Sequence, residues 1–176
     1  MTFSSTQQIN ILLVGAGLAN GLLTLLLRRH RPELRIQILE ARKQICATRT
    51  WSFHGSDIAG SNHLQPLISN SWSGHDVYFP TRVRELAGSY HCIKPSRLEA
   101  ALRDVLRDDL RFGVRVAEIQ SGGVTLYDGT RIRAECVIDG RGLGAVVKSG
   151  FQKFVGLRLR LLRPHGLTRP ILMDAR

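Results

Sequence analysis

The sequence predicts an α/β protein built on a parallel sheet, and three observations lead to this fold class. First, the apolar run Ile9–Val14 has the composition of a buried strand and leads into the glycine turn Gly15–Gly17. Second, an apolar segment of helical length follows at 18–30. Third, a second apolar strand at 35–39 ends in an acid, Glu40. Strand, glycine turn, helix, strand and acid form the order of a Rossmann-like dinucleotide-binding unit.

The glycine turn has the features of a pyrophosphate site. Gly15 permits a tight turn, and Gly17 lets the backbone approach a phosphate because it lacks Cβ. The helix that follows would direct free N–H groups and its positive dipole end at the phosphates. The third motif position holds Asn20, so we expect Gly21 to provide the close helix–strand packing. Glu40 is placed to accept ribose hydroxyls, which favours dinucleotide binding over a glycine turn that binds nothing.

The remaining elements follow from local patterns. Leucines cover nearly all sides of the 18–30 helix, so we expect that helix to be buried. Ser96 and Glu99 form a capping box at the start of a second helix. An Asp128–Gly129 turn predicts a hairpin. Residues 55–70 read as a loop or a short irregular helix. Strands are predicted at 77–79, 90–93, 114–119, 124–126, 131–133, 136–138, 157–161 and 170–174.

Two domains are expected. Residues 1–149 would form the dinucleotide-binding domain, with strands 77–79 and 90–93 as a small inserted sheet. Residues 150–176 would contain the first strands of an incomplete substrate-binding domain. The strand at 170–174 has no evident partner in the sequence, so we expect a longer natural chain.

Composition excludes several classes of protein. An apolar fraction of 43% argues against disorder, and no uncharged apolar run reaches the ~18 residues of a membrane helix. The three cysteines lack metal-binding spacing, so we expect no metal and a cytoplasmic setting. The net charge of +11 suits an anionic membrane surface, nucleic acid or a phosphate-bearing ligand. Aromatic residues do not alternate with the basic runs, which argues against a single-strand nucleic-acid platform. A solvated basic surface accounts for most of these charges.

Two further stretches are candidates for site residues. Trp51 and His54 lie close together and suggest a pocket lining, although a loop pinned to the core by Trp51 and Phe53 is the favoured interpretation of composition alone. Asp139 and Gly140 follow a short apolar strand, and ligands bind at the carboxyl ends of strands in open α/β sheets. An ordinary glycine loop remains the alternative for the second stretch.

Several stretches together resemble the bacterial lycopene β-cyclases of carotenoid synthesis. They occur in that family's order across almost the whole chain, and Asn20–Gly21 is the form of the glycine motif that the family carries. Two departures are Arg49, where the family usually has histidine, and Cys46–Ala47, where it has two glycines. The matching runs are Leu13–Leu22, Thr50–His54, Phe79–Arg82, Val137–Gly142, Gly150–Gln152, Pro164–Leu167 and Pro170–Ala175.

The resemblance implies a flavoprotein that uses FAD in reduced form, with NAD(P)H as reductant. The implied reaction is an isomerisation, in which the linear ends of lycopene close to β-ionone rings to give γ-carotene and then β-carotene. Protonation of a terminal alkene, ring closure and proton loss need an acid and a dry pocket. The family's essential glutamate would lie beyond Arg176, so the chain as given is expected to be inactive alone.

The resemblance also implies roles for individual residues. Gly15, Ala16, Gly17, Leu18 and Asn20 would meet the pyrophosphate. Glu40 would bind the adenosine ribose, and Arg97 would contact the cofactor. Asp139 and Gly140 would meet the ribityl chain and phosphate, while Trp51 and His54 would lie near flavin or substrate.

Lycopene dissolves in the bilayer, so we expect peripheral contact with the cytoplasmic side of the inner membrane and no nucleic-acid partner. A docking surface and an ordinary solvent-facing strand are equally good interpretations of one C-terminal basic cluster. A flavin-dependent monooxygenase or reductase, and a basic non-catalytic binding module, remain alternative functions. The oligomeric state is open. The basic cluster consists of Lys153, Arg158, Arg160, Arg163 and Arg169.

Overall fold

A computed structural model describes residues 8–45, 49–142, 156–157 and 159–176. The described residues form two compact units. One unit contains the residues up to Trp51 together with Ile93–Gly142, and the other contains Ser52–Cys92 and the described residues beyond Gly142. No helix among the described residues is long and apolar enough to cross a bilayer.

The described residues form two α-helices and ten strands, with short 3-10 helices at Gly55–Ile58, Asn62–Leu67 and Arg107–Asp109. In chain order the elements are β1 (Ile9–Val14), α1 (Leu18–His30), β2 (Ile36–Glu40), β3 (Trp51–His54), β4 (Asn70–Phe79), β5 (Arg82–Ile93), α2 (Pro95–Leu106), β6 (Leu110–Phe112), β7 (Val116–Gln120), β8 (Gly123–Leu126), β9 (Arg131–Asp139) and β10 (Ile171–Asp174).

The first unit contains a six-stranded sheet in the order β6-β2-β1-β9-β8-β7. Strands β6, β2, β1 and β9 are parallel, while β7 and β8 continue the sheet in antiparallel pairing. In this register Val14 faces Leu39 on one side and Asp139 on the other, so β1, β2 and β9 end at one edge. The α/β fold predicted from the sequence is confirmed, and its central strand β1 leads directly into the glycine turn.

Helix α1 packs closely against α2. A Cβ on Gly21 would lie 2.9 Å from Leu98 Cδ2, so glycine at this position permits the contact. Gly21 therefore serves helix–helix packing, and the predicted helix–strand role was wrong. The prediction of full burial for α1 was also wrong: Asn20, Gly21 and Thr24 are buried, whereas the leucines at 22, 23 and 25–27 are half-buried. Burial on all sides would need a further layer over the helix.

The start of α2 also differs from the prediction. Lys94 is the N-cap and Pro95 is the first helical residue, so Ser96 lies inside the helix and forms no capping box. Proline suits this first position because its fixed φ matches the helix and its missing N–H needs no partner there. Glu99 instead accepts hydrogen bonds from the Ile45 N–H, at 2.9 Å, and from Arg103 Nη2, at 2.7 Å.

The β7–β8 hairpin and strand β9 help to bury the centre of the sheet. The predicted Asp128–Gly129 turn joins β8 to β9. In this turn Gly129 adopts φ +85°, and the Thr130 N–H donates to Asp128 Oδ1 at 2.9 Å. The strand predicted at 136–138 is the end of β9, although Cys136 is exposed. The buried cluster contains Ile9, Leu12, Val14, Leu39, Val116, Val124, Leu126 and Ala134.

The second unit contains a four-stranded sheet in the order β10-β4-β5-β3. The short strands predicted at 77–79 and 90–93 are the ends of the long antiparallel pair β4 and β5. Residues 51–54, interpreted as a loop, form β3. Strand β10 pairs in parallel with β4, with Ile171 opposite Asp76, so the expectation that it lacks a partner was wrong. That pairing joins residues far apart in sequence, which local patterns do not reveal.

The same pairing changes the domain organisation. Because β4 bonds to both β5 and β10, residues 52–92 group with the C-terminal strand and not with the dinucleotide-binding unit. The predicted boundary at 149/150 lies outside the described residues. The strand predicted at 157–161 is not formed by its described residues, where Leu157 and Leu159 are 83% and 72% exposed. A strand needs a neighbour for its N–H and C=O groups, and no described strand pairs with this segment.

Candidate functional site

A cleft of about 430 Å³ opens at the carboxyl ends of β1 and β2, entirely within the first unit. The glycine turn lies on one side of the cleft, Glu40 on another, and the segment leading into β7 closes a third. Among the described residues, four arginines and one acid give the lining a net positive charge. The lining residues are Val14, Gly15, Ala16, Gly17, Leu18, Leu39, Glu40, Ala41, Arg42, Ile45, Arg49, Trp51, Val114, Arg115, Val116, Tyr127, Gly140 and Arg141.

The glycine turn has a shape that only glycine permits at its first position. Gly15 adopts φ +93°, and a Cβ there would lie 3.1 Å from the Gly140 carbonyl oxygen. The turn is held by two backbone bonds, from the Gly15 N–H to Leu39 O at 2.7 Å and from the Gly140 N–H to Val14 O at 2.8 Å. A Cβ placed on Gly17 would have its nearest neighbour 4.0 Å away, so the backbone of Gly17 is open to the cleft.

Asn20 supports the turn from below. Its Nδ2 donates to the Gly15 carbonyl at 2.7 Å and to the Val14 carbonyl at 3.2 Å, and the residue is only 4% exposed. Gly140 packs directly on this carboxamide, where a Cβ would collide with Asn20. Asn20 is not among the residues that line the cleft, and its predicted contact with pyrophosphate stays a prediction. Its side chain shapes the turn that would make the contact.

The start of α1 offers donors to an anion. Gly17 is the N-cap, no side chain caps the helix, and its first turn contains no acid. A helix N-terminus of this kind has unsatisfied N–H groups and a positive dipole end. Together with the cavity at Gly17 and the arginines around it, this backbone fits the two phosphates of a dinucleotide.

Glu40 bridges the turn and the loop after β2. Its Oε2 accepts the Ala16 N–H at 2.8 Å, and its Oε1 accepts the Arg42 N–H at 2.9 Å. A carboxylate has about four acceptor positions, so each oxygen retains capacity for a ligand hydroxyl. The predicted position of this acid, at the end of β2 beside the glycine turn, matches the structure.

Asp139 and Arg141 form a bidentate pair at the end of β9. Arg141 Nε and Nη2 each donate to the Asp139 carboxylate at 2.8 Å, and these hydrogen bonds hold the pKa of Asp139 below its usual range. The same pair raises the pKa of Arg141, with a smaller contribution from nearby Tyr127. Gly140 and Arg141 line the cleft but Asp139 does not, because its carboxylate is turned onto the guanidinium. The predicted contact of Asp139 with the cofactor stays a prediction, and Arg141 is the charged side chain that this end of β9 presents to the cleft.

The three remaining candidates differ in their surroundings. Trp51 is half-buried and lines the cleft. His54 belongs to the second unit, where its ring lies 5.1 Å from Tyr90 and 5.3 Å from His75. Arg97 is exposed in the first turn of α2 and does not line the cleft. No group of three or more metal-binding side chains occurs in the described part of the chain.

Several lining residues were not predicted from the sequence. Arg42, Arg115, Arg141 and Tyr127 come together because β2, the segment before β7, the hairpin end and β9 meet at one edge of the sheet. For Arg42 a sequence signal existed, since it lies two positions after the acid that ends β2. Arg115 and Tyr127 carry no such signal, because their proximity depends on the hairpin register.

Solved structures with the same fold include two oxygenases and a protein solved with FAD, at identities that establish the fold alone. The 2-methyl-3-hydroxypyridine-5-carboxylic acid oxygenase matches with a TM-score of 0.58 and 13% identity, covering 74% of this chain and 39% of its own. The p-nitrophenol 4-monooxygenase of Pseudomonas putida matches with a TM-score of 0.58 and 13% identity, covering 75% of this chain and 40% of its own. Klebsiella pneumoniae HpxO, solved with FAD, matches with a TM-score of 0.54 and 16% identity, covering 74% of this chain and 39% of its own.

Comparison of sequences is more specific. The chain is 42% identical over 170 residues to the lycopene beta-cyclase of Pantoea ananas and 41% identical to that of Pseudescherichia vulneris. The relative from Paracoccus sp. (strain N81106 / MBIC 01143) is 40% identical over 172 residues. Each match covers 94% of this chain and 44% of the relative, so the chain spans less than half of their length. The family model for lycopene cyclase protein matches residues 10–176, and the chain therefore belongs to the lycopene cyclase family.

Proposed function

We propose that the protein to which this chain belongs is a lycopene β-cyclase, and that the cleft of the first unit holds FAD. The observation that carries the proposal is the glycine turn with Glu40 beside it, in a chain that the lycopene cyclase model matches over residues 10–176. The reaction would be an isomerisation of lycopene to γ-carotene and then β-carotene, with NAD(P)H supplying the electrons that reduce the flavin.

The residues of the cleft would bind and orient the cofactor. Backbone N–H groups from Gly17 and Leu18 would bind the pyrophosphate. The lining arginines would assist, because their positive charge attracts the negative phosphates. Glu40 would accept the adenosine ribose hydroxyls on the free positions of its oxygens. The reduced flavin would supply an electron-rich ring beside the substrate. Trp51, half-buried at the cleft, would help to exclude water from that side.

The proton donor is a separate question. Cyclisation begins with protonation of an alkene, which needs an acid in a dry site. Glu40 is the one carboxylate among the described residues that line the cleft, and both of its oxygens already accept backbone N–H groups of the turn and of the loop after β2. We propose that it binds the cofactor and is not the proton donor. We assign the catalytic acid to a part of the protein outside the described residues.

A substrate that dissolves in the bilayer requires contact with the membrane, which we propose is peripheral and on the cytoplasmic side of the inner membrane. Arg160 and Arg163 are exposed and suit anionic headgroups, each worth about 1 kcal/mol near the surface. Arg169 suits them less, because it is paired with Glu85 at 3.1 Å and lies 3.5 Å from Asp76. Lys153 and Arg158 lie outside the described residues. Flotation with anionic and neutral liposomes tests this surface: binding that ignores lipid charge and salt would eliminate it.

The activity is tested with the whole protein under anaerobic conditions. Purified protein, FAD and NADPH or NADH are incubated with lycopene in liposomes, and the products are separated by chromatography and mass spectrometry. We expect β-carotene of unchanged mass and no requirement for oxygen. A parallel reaction in air tests the alternative: no product without oxygen, together with a product that gains an oxygen atom and NAD(P)H consumption that depends on oxygen, would instead establish the flavin-dependent monooxygenase.

A further inference from the structure

A stacked pair of side chains forms one wall of the cleft, and the stacking itself has no role in the function proposed above. Tyr127 is 70% exposed, although large aromatic side chains more commonly bury most of their surface. The guanidinium carbon of Arg115 lies over the Tyr127 ring, 5.1 Å from its centroid. Both residues line the cleft. The Tyr127 N–H donates to the Arg115 carbonyl at 3.1 Å, so the backbone holds the two residues side by side.

This pair lies close to the proposed ribose site. The Val114 N–H donates to the Glu40 backbone carbonyl at 3.0 Å, so Arg115 is one residue away from direct contact with the end of β2. On the other side, Arg141 Nη1 reaches the Val116 carbonyl at 3.4 Å. A base joined to a ribose held by Glu40 would extend along this edge, since base and ribose are linked by one bond. Tyr127 and Arg115 form the flat, partly apolar surface there.

We propose that Tyr127 and Arg115 form a stacking platform for the adenine base of a bound dinucleotide. The inference rests on the proposed cofactor site and adds the recognition of its nucleoside half. An aromatic ring stacks on any base and contributes about 1–3 kcal/mol per base by alanine substitution. The guanidinium orients the tyrosine ring and adds a cation–π contact to it. Because the platform contacts adenine, it selects FAD over FMN, which lacks the adenosine half.

The test measures binding and does not depend on catalysis. The whole protein is stripped of cofactor, and dissociation constants for ADP, FAD, NADPH and FMN are measured by titration calorimetry. Tyr127→Ala should raise the dissociation constants for ADP and FAD about 5- to 150-fold, while Tyr127→Phe should stay within about 3-fold of the wild type. FMN binding should be the same in all variants. A parallel loss for NADPH would identify the nicotinamide cofactor as the source of the adenine, and a loss confined to FAD and ADP would identify the flavin.

Tyr78→Ala is the matched control, because Tyr78 also lies beneath an arginine, Arg176, at 4.1 Å but belongs to the second unit. This control should leave ADP affinity unchanged. Thermal unfolding of each variant verifies the fold, which an exposed position such as Tyr127 should preserve. Wild-type binding of ADP that Tyr127→Ala does not weaken would overturn the platform while leaving the proposed function intact. Failure of the wild-type protein to bind FAD and ADP would overturn both.

Discussion

Substitution of Gly15 by alanine tests the geometry of the turn most directly. Gly15 has φ +93°, a conformation that costs an L-residue about 1–2 kcal/mol. The new Cβ would also lie 3.1 Å and 3.2 Å from the carbonyl oxygen and carbon of Gly140. These are backbone atoms fixed by the bond from the Gly140 N–H to Val14, so crowding should add about 1–3 kcal/mol. We expect Gly15→Ala to lower local stability by about 2–5 kcal/mol in total.

Gly113 provides a matched control. It also has positive φ, +72°, but no atom lies within 4 Å of a Cβ placed there. Gly113→Ala should therefore show the backbone strain without the crowding, a loss of about 1–2 kcal/mol. The difference between the two variants isolates the contact between the turn and the end of β9.

Hydrogen exchange of the peptides that contain β1 and β9, measured by mass spectrometry in the whole protein, reports the free energy of local opening. We expect Gly15→Ala to accelerate exchange in both strands and also to abolish tight FAD binding, because the displaced Gly140 would open the turn. Equal destabilisation by the two alanine variants would refute the reasoning, since it would mean that Gly140 does not constrain Gly15.

Two further predictions concern the charged groups of the site. Glu40→Ala should weaken FAD binding by about 1–3 kcal/mol, because charge-assisted hydrogen bonds to the ribose are lost, and Glu40→Gln should weaken it less. Fluorescence titration of FAD measures both affinities, and an unchanged affinity would remove Glu40 from the ribose site. Arg141 depresses the pKa of Asp139 in the folded state, so this pair contributes stability that is present above the unfolded-state value of about 3.9 and lost as the pH falls through the lower folded value. Urea unfolding measured between about pH 5 and pH 2 should thus show that the free energy of unfolding falls more steeply with falling pH in the wild type than in Arg141→Gln. Identical slopes of this free energy against pH would contradict the pairing.

The sequence predicted the part of the site that depends on local backbone chemistry. Strand, turn, helix and acid occupy consecutive residues, so Gly15, Gly17 and Glu40 could be assigned from their order alone. The contacts of the Asn20 carboxamide with the turn were not predicted, because its direction depends on how closely Gly140 approaches. Local patterning also predicted the Asp128–Gly129 hairpin.

Features that depend on distant residues were missed. The stack of Arg115 on Tyr127 arises from the register of a hairpin with the segment before it, which no short pattern encodes. The start of α2 was missed for a different reason: Pro95 and Ser96 are competing start signals one residue apart, and the proline prevailed. The partner of β10 depends on a pairing with β4 across most of the intervening chain.

The pairing of β10 with β4 can form only late in biosynthesis. Strand β4 leaves the ribosome with β5 and can form a hairpin at once, whereas β10 emerges only after the whole of β9 has been made. At ~5–20 residues per second the outer edge of β4 remains unpaired for several seconds of translation. An open edge of this kind is a template for pairing with other chains. The nascent protein is therefore most vulnerable to intermolecular association between the synthesis of β5 and that of β10.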